Sequence, residues 1–322
     1  MKAQLESLLR SKGYITRSGV FYHPDRTPSD SKETRNSKVF AEKWSKVAQA
    51  ENNTQVEALK ISRFHELYGF RDTTELSNII EEKKIILDAG SGAGLKSSYL
   101  ASLAPDSTIL SMELSDAIFI AAERYSESKN ILFIKGDIAS TPFDDESVDF
   151  VNCDQVLHHT IDPSATLAEF ARILKPGGHA TLYVYSRKAL PRELLDEHFI
   201  SGRADLSNEE IWDLSQRLTE LGKILSESGI ELDFPHIPQL NIVGGKQNLQ
   251  RFIYYNFIKC FWNDKRGWDS SVSTNFDWYA PSIAYRYSEE EFQEMTRAAG
   301  FECVRAHTEQ ACHSGLFVKR SK

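Results

Sequence analysis

The stretch Ile85-Ile86-Leu87-Asp88-Ala89-Gly90-Ser91-Gly92-Ala93-Gly94 reads as an apolar strand that ends in an acid and runs into a glycine-rich turn opening a helix. A backbone that must turn tightly and come close to a ligand needs residues without a Cβ, which glycine supplies. Many turns hold glycines for packing alone, so it is the position directly after a strand that gives this one its weight. Around it, from Lys84 to Ser186, short apolar runs alternate with helical stretches, the pattern of a doubly wound parallel sheet. Strands are expected at Ile85 to Asp88, Thr108 to Glu113, Ile131 to Lys135, Val148 to Cys153 and Ala180 to Tyr185. Helices are expected at Leu95 to Leu103, Ala117 to Ser126 and Ser164 to Leu174, the last closed by the break Lys175-Pro176-Gly177-Gly178.

Outside this core the period changes. Met1 to Gly13 reads as a short amphipathic helix, Thr16 to Asn36 as an exposed polar loop, and Val39 to Tyr68 as helices interrupted near Asn52 and Asn53. After Tyr185 the alternation stops and returns only at Ser288, with a helix to Ala299 and runs at Glu302 to Thr308 and Ser314 to Val318 that can complete the sheet. The chain is thus divided into a helical forepart or lid (1–75), a core (76–186), a mainly helical cap insertion (187–287) and a closing segment (288–322). Helix-like stretches in the insertion run from Asn208 to Ser228 and from Asn248 to Trp262. An insertion near the carboxyl ends of the strands can cover the ligand crevice.

Composition narrows the classes. A formal net charge of −8 over 322 residues argues against nucleic acid as partner, since that affinity needs clustered Lys and Arg, although Lys259 to Arg266 is mildly basic. No signal-peptide run and no apolar stretch long enough for a bilayer occurs, so the expected partners exclude a membrane and the expected location is cytoplasmic. The cysteines, Cys153, Cys260, Cys303 and Cys312, form no C-x-x-C pair and read as small buried residues. No metal site is legible.

The turn also discriminates between ligands. A pyrophosphate normally takes G-x-G-x-x-G, whereas Gly90, Gly92 and Gly94 form G-x-G-x-G beside Asp88. An acid there suits a ligand carrying an ammonium and a sulfonium, which leaves NAD as runner-up. Glu113, at the end of the second strand, suits a ribose, with a solvated strand-end acid as the plain reading. Asp137 can accept from an adenine amino group and Ile138 can cover the base.

These motifs resemble the class I S-adenosylmethionine-dependent methyltransferases over about half the chain. Leu87 to Gly94 is similar to that family's first motif, Gly136-Asp137-Ile138 with Pro142-Phe143 to its adenine-side motif, Phe150 to His159 to its fourth-strand motif, and Leu174-Lys175-Pro176-Gly177-Gly178 follows in order. The resemblance implies an α/β Rossmann-like sheet and S-adenosylmethionine as cofactor. It implies Asp88, Gly90, Gly92 and Gly94 near the methionine part, Glu113 at the ribose, Asp137 and Ile138 at the adenine, Cys153 with Asp154 at the methionine end, and Ser91 and Leu114 as further cofactor contacts. Phe40-Ala41-Glu42-Lys43-Trp44 resembles a lid helix placing Trp44 over the cofactor, against the plainer reading of Trp44 as core.

The acceptor is less legible. Neither the N/D-P-P-Y pattern nor a Pro-Cys nucleophile follows the fourth strand, which disfavours nucleic-acid modification and leaves a small metabolite. His158 and His159 are candidate bases, or one ring simply caps the next helix. Asp154 is a candidate to hold a substrate ammonium or to complement the cofactor's charge. Gln155, Tyr185, Trp278, Tyr279 and Tyr285 are candidate substrate contacts, with Asn275 to Pro281 the preferred region and cap core the plain reading. The expected function is methyl transfer in small-molecule biosynthesis by a monomer or homodimer. Displacement or cyclisation of the aminocarboxypropyl chain, releasing methylthioadenosine, is the alternative within the same fold, and a non-catalytic scaffold the alternative outside it.

Overall fold

A computed structural model describes residues 9, 13–24, 31–50, 54–201 and 205–321, without the side chains of 31–33 and 47–50. The amphipathic helix expected at Met1 to Gly13 lies almost wholly outside the described residues. Among those described, no helix is long and apolar enough to cross a membrane.

The core strands are β3 (Ile85–Ala89), β4 (Thr108–Glu113), β5 (Ile131–Lys135), β6 (Val148–Cys153) and β7 (Leu174–Ser186), all parallel. Their residues are buried on both faces, as a parallel sheet requires. Alternate positions divide between the faces. Leu87, Leu110, Val151 and Leu182 pack with Leu167, Phe170 and Phe292 on one side. Ile86, Ile109, Phe150 and Tyr183 pack with Phe64, Leu76, Leu100 and Ile118 on the other. Two later strands, β11 (Phe301–Thr308) and β12 (Cys312–Lys319), complete the sheet, β12 lying antiparallel to β7. The strand order places β3 between β4 and β6, with later strands added outward in both directions. Crossovers therefore leave β3 and β6 in opposite directions, opening a crevice at the carboxyl ends of these strands.

Helices cover both faces. On one lie α2 (Thr54–Tyr68), α3 (Thr73–Ile80), α4 (Leu95–Leu103) and α5 (Ala117–Arg124); on the other lie α6 (Pro163–Ile173) and α11 (Glu289–Ala298). Their ends are set locally. Asp162 accepts from the backbone N–H groups of Ser164 and Ala165 and Pro163 begins α6, while Ser288 and Glu291 form a reciprocal capping box on α11. The expected break at Lys175 to Gly178 is corrected: α6 ends at Ile173 and these residues lie within β7, with Gly177 at φ 73°.

The expected loop over Thr16 to Asn36 is corrected. Ile15–Arg17 (β1) and Val20–Tyr22 (β2) form a hairpin on the edge of β5, and helix α1 (Ser31–Ala50) starts before Asn36; residues 25–30 lie outside the description. Ser18 and Gly19 both have positive φ, 48° and 77°, the two-residue connection whose twist matches a hairpin. Val20 is fully buried against the sheet, which anchors an otherwise polar stretch.

Between β7 and α11 the chain builds α7 (Leu190–Ile200), α8 (Asn208–Glu227), a hairpin of β8 (Glu231–Phe234) and β9 (Gly245–Asn248), α9 (Leu249–Asn256), α10 (Gly267–Tyr279) and the two-residue strand β10 (Arg286–Tyr287). The hairpin, α7 and α10 depart from the two expected helical stretches, and α9 ends well before Trp262. Helix α8 keeps the expected Asn208 start because Ser207 and Glu210 cap it. Ile211, Leu218, Phe276, Trp278 and Tyr279 form a second core that includes Val39 of α1.

Candidate active site

The crevice is a cavity of about 390 Å³ walled chiefly by the strand ends, α1 and the insertion, with Glu57, Lys60 and Arg63 of α2 at its side. Gly90, Ser91, Glu113, Leu114, Asp137 and Ile138 line it at the strand ends; Phe40, Lys43 and Trp44 line it from α1; Tyr254, Lys259, Ser273, Asp277 and Trp278 line it from the insertion.

At the sheet end, Gly90 and Ser91 donate their N–H groups to the Met112 carbonyl, at 2.8 and 3.0 Å, which pins the turn to β4. Gly90 has φ 77°, and a Cβ there would stand 2.5 Å from Val156. At Gly92 a Cβ would stand 2.7 Å from the Trp44 ring. The bare backbone thus makes room for two protein side chains, and Trp44 of α1 sits on the turn. Glu113 accepts from Gly92 N–H at 3.0 Å and from Ser115 N–H at 2.9 Å, so its carboxylate is aimed at the turn and at the cavity. Asp137 accepts from Ala139 N–H at 2.8 Å.

Asp88 lines the cavity beneath the turn and is bonded within the protein. It is 2% exposed, and its two oxygens accept from Ser97 Oγ at 2.5 Å and Asn152 Nδ2 at 2.7 Å. Burial raises its pKa despite these bonds. It ties α4 and β6 to β3 and holds the turn from beneath. Cys153 is likewise fully buried, with its thiol pushed up by desolvation, and it does not line the cavity. Gly94 packs against Ala121 and Tyr125, also away from the cavity.

Asp154 lines the cavity but is already engaged. Tyr68 Oη donates to it at 2.8 Å and Lys96 pairs with it. Lys96 compensates its charge, while each oxygen keeps a lone pair that can face the cavity. Gln155 beside it is exposed, lines the cavity and holds φ 64° without being glycine. Such left-handed backbone costs about 1–2 kcal/mol and is kept where the fold over-determines it.

The two histidines separate. His158 is fully buried, its ring 3.8 Å from that of Tyr185, and desolvation holds its pKa well below the ordinary value; it does not line the cavity. His159 lines it. Its Nδ1 meets the Ile283 carbonyl at 2.7 Å, which requires a proton on Nδ1 and leaves a lone pair on Nε2. Burial pushes its pKa down to about 4, so the ring is neutral near pH 7.

Of the aromatic candidates, Tyr185 and Trp278 line the cavity with ring centroids 4.6 Å apart. Tyr279 does not: it is 2% exposed and its hydroxyl donates to the Lys259 carbonyl at 3.0 Å, so it is cap core. Tyr285 is 43% exposed, donates to the Ile161 carbonyl and stands outside the cavity.

The cations of the insertion were missed by sequence reasoning. Lys188, Arg192 and Lys259 are each at most 6% exposed, gathered around Trp278 at 5.7, 4.8 and 4.3 Å from its ring. The signal was present: Lys259 interrupts the apolar run Phe257-Ile258-Lys259-Cys260-Phe261-Trp262, where a buried charge calls for a reason. Reading it as part of a basic surface stretch concealed that.

A doubly wound α/β sheet with its cavity at the switch point is the architecture of a cofactor-binding enzyme fold. Residues 87–182 match the family model described as a methyltransferase domain. Over these residues the chain is similar to the class I S-adenosylmethionine-dependent methyltransferases, and the match supports S-adenosylmethionine as its cofactor. Among relatives, an uncharacterised methyltransferase of Schizosaccharomyces pombe is 31% identical over 116 residues, covering 33% of this chain and 42% of that protein. A demethylmenaquinone methyltransferase of Clavibacter sepedonicus is 30% identical over 107 residues, covering 33% and 43%. Such matches span between 25% and 47% of the curated relatives' own length. A solved structure of the Burkholderia thailandensis 1,6-didemethyltoxoflavin-N1-methyltransferase aligns over 93% of this chain and 95% of that one, with 12% identity and a TM-score of 0.44.

Proposed function

We propose that this chain transfers a methyl group directly to a small-molecule acceptor held between the sheet end and the insertion. The observation that carries the reading is the single cavity whose lining passes from Glu113 and Asp137 to Tyr254, Ser273 and Trp278 under the cover of α1. A roofed cavity of this size suits a metabolite.

The residues present fit S-adenosylmethionine. Glu113 and Asp137 offer carboxylate oxygens at neighbouring strand ends, Leu114 and Ile138 offer apolar cover, and Gly90, Ser91 and Trp44 enclose the turn. When bound, the cofactor supplies a sulfonium whose methyl is already electrophilic. The protein's share is alignment and exclusion of water. Phe40, Tyr185 and Trp278 supply flat apolar walls, and His159 Nε2 offers a lone pair to a donor on the acceptor. Its low basicity suits orienting a hydroxyl or amine more than abstracting a tightly held proton.

Titration of the purified protein with S-adenosylmethionine and S-adenosylhomocysteine by calorimetry tests the reading, followed by product analysis with candidate metabolites. Binding of both and formation of S-adenosylhomocysteine are expected. Methylthioadenosine as product would replace methyl transfer by chain transfer or cyclisation, and absence of binding would leave only a scaffold.

A further inference from the structure

The acidic chain carries an excess of buried positive charge at the cap end of its cavity. Arg192 pairs with Asp196, Nε to Oδ1 at 2.9 Å, and also donates to the Tyr254 carbonyl. Lys43 pairs with Asp277 at 2.6 Å. Each carboxylate is thereby paired with one of these cations through one oxygen, while Asp196 Oδ2 and Asp277 Oδ1 stay buried and unbonded. Lys188 donates to Ser186 O and Oγ and to the carbonyls of Gln310 and Ala311, which satisfy its N–H groups without cancelling its charge.

Lys259 has less. It is 5% exposed and lines the cavity, yet among the described residues its ammonium donates to no oxygen and pairs with no carboxylate. Only ring faces meet it, Trp278 at 4.3 Å and Tyr254 at 6.0 Å. A buried ammonium without an acceptor costs several kcal/mol, so the fold keeps it at the expense of stability. Its placement is held deliberately: Tyr279 bonds the Lys259 carbonyl, and the next residue's carbonyl accepts from Gln250 Nε2 at 2.8 Å. The Trp278 indole N–H beside it is also buried without a partner.

We infer that Lys259 is the anchor for an anionic group of the acceptor, a carboxylate or phosphate carried on a flat apolar body, with its negative end at the cap and its methyl-accepting end toward the glycine-rich turn. This deepens the small-molecule reading and rests on it. The flat body follows from the walls of Tyr185, Tyr254 and Trp278. Burial and the neighbouring Arg192 push the Lys259 pKa down to about 7, and the charges of Asp277 and Asp196 only partly offset them. Asp277 does not oppose the anion, because Lys43 neutralises it; its second oxygen, Oδ1, is buried and unbonded and can accept from a hydroxyl or amine on the same ligand.

The test uses the full chain saturated with S-adenosylhomocysteine and three probes of one shape, benzoate, phenyl phosphate and neutral benzamide, titrated by calorimetry. Wild type should bind one of the anions about tenfold or more above benzamide, the scale of one charge-assisted hydrogen bond; which anion identifies the group. In Lys259→Gln that preference should vanish while S-adenosylhomocysteine affinity is retained. Benzamide binding as well as both anions, failure of both anions to bind, or a preference that survives in Lys259→Gln would overturn the inference. The wild-type preference is read without any substitution, so a misfolded variant does not remove the test. Failure of S-adenosylhomocysteine itself to bind would instead defeat the methyltransferase reading.

Discussion

A single neutral imidazole shows how the site's chemistry is tied to its folding. His159 has a pKa of about 4 in the fold against an ordinary value of 6.5, chiefly through burial. The folded chain therefore binds fewer protons at this ring than the unfolded chain between those values. By linkage the stability the ring contributes is full above about pH 6.5 and is lost as pH falls toward 4. Between pH 7 and 5 this should remove about 2 kcal/mol. Replacing the ring by a non-titrating side chain that still donates to Ile283, His159→Asn, should make the drop in urea stability between these pH values smaller by about that amount. Equal drops in wild type and variant would mean that the ring charges freely in the folded protein. The same scale separates position from packing: a sequence places Asp88 and Asp154 at the strand ends, where both line the cavity, but only packing reveals that Ser97 with Asn152, and Lys96 with Tyr68, bond to them.

Among elements, legibility followed periodicity. Strands β3 to β6 and helix α4 fall where the apolar runs put them, because a sheet buried on both faces leaves an unbroken apolar signature. The β1–β2 hairpin and helix α10 were not legible, since one buried valine anchors the first and serines alternate with aromatics in the second. Helix α1 was expected as a forepart, but its joining of core and insertion was not readable. It places Trp44 on the glycine-rich turn, Lys43 on Asp277 and Glu42 against Trp212 Nε1 at 3.1 Å and Asn208 at 2.7 Å. Apart from Val39 and Trp44, its middle meets the rest of the chain largely through such polar pairs, and segments with few buried apolar anchors open more readily than the core. Lys43→Met should accordingly raise amide exchange across residues 36–46 about tenfold, the effect of losing roughly 1.4 kcal/mol, while exchange in β3 and β4 stays unchanged. Unaltered exchange in α1 would show that the ion pair does not hold it.

For the whole molecule, the question is whether the sheet and the insertion divide the work. Glu113 closes β4 and touches only the turn and the cavity, whereas Trp278 stands on α10 among the cations of the insertion. Cofactor affinity should therefore reside at the first and not the second. Glu113→Gln keeps the size of the side chain and removes the charge that strengthens its hydrogen bonds, worth about 1.5–3 kcal/mol when the donors are buried. It should weaken S-adenosylhomocysteine binding by at least about tenfold. Trp278→Phe keeps a ring against Tyr185 and Lys259 and loses the unpaired N–H and part of the ring's packing on the insertion side, so cofactor affinity should stay within about twofold, a difference of roughly 0.4 kcal/mol. Ligand-induced stabilisation reads the same quantity independently: a concentration 100 times the dissociation constant adds about 2.7 kcal/mol, so the thermal shift should shrink in Glu113→Gln and persist in Trp278→Phe. Comparable losses in both variants would mean that the cofactor reaches into the insertion. In that event the cap would serve cofactor and acceptor together, and its cations would have to be reassigned to the methionine carboxylate.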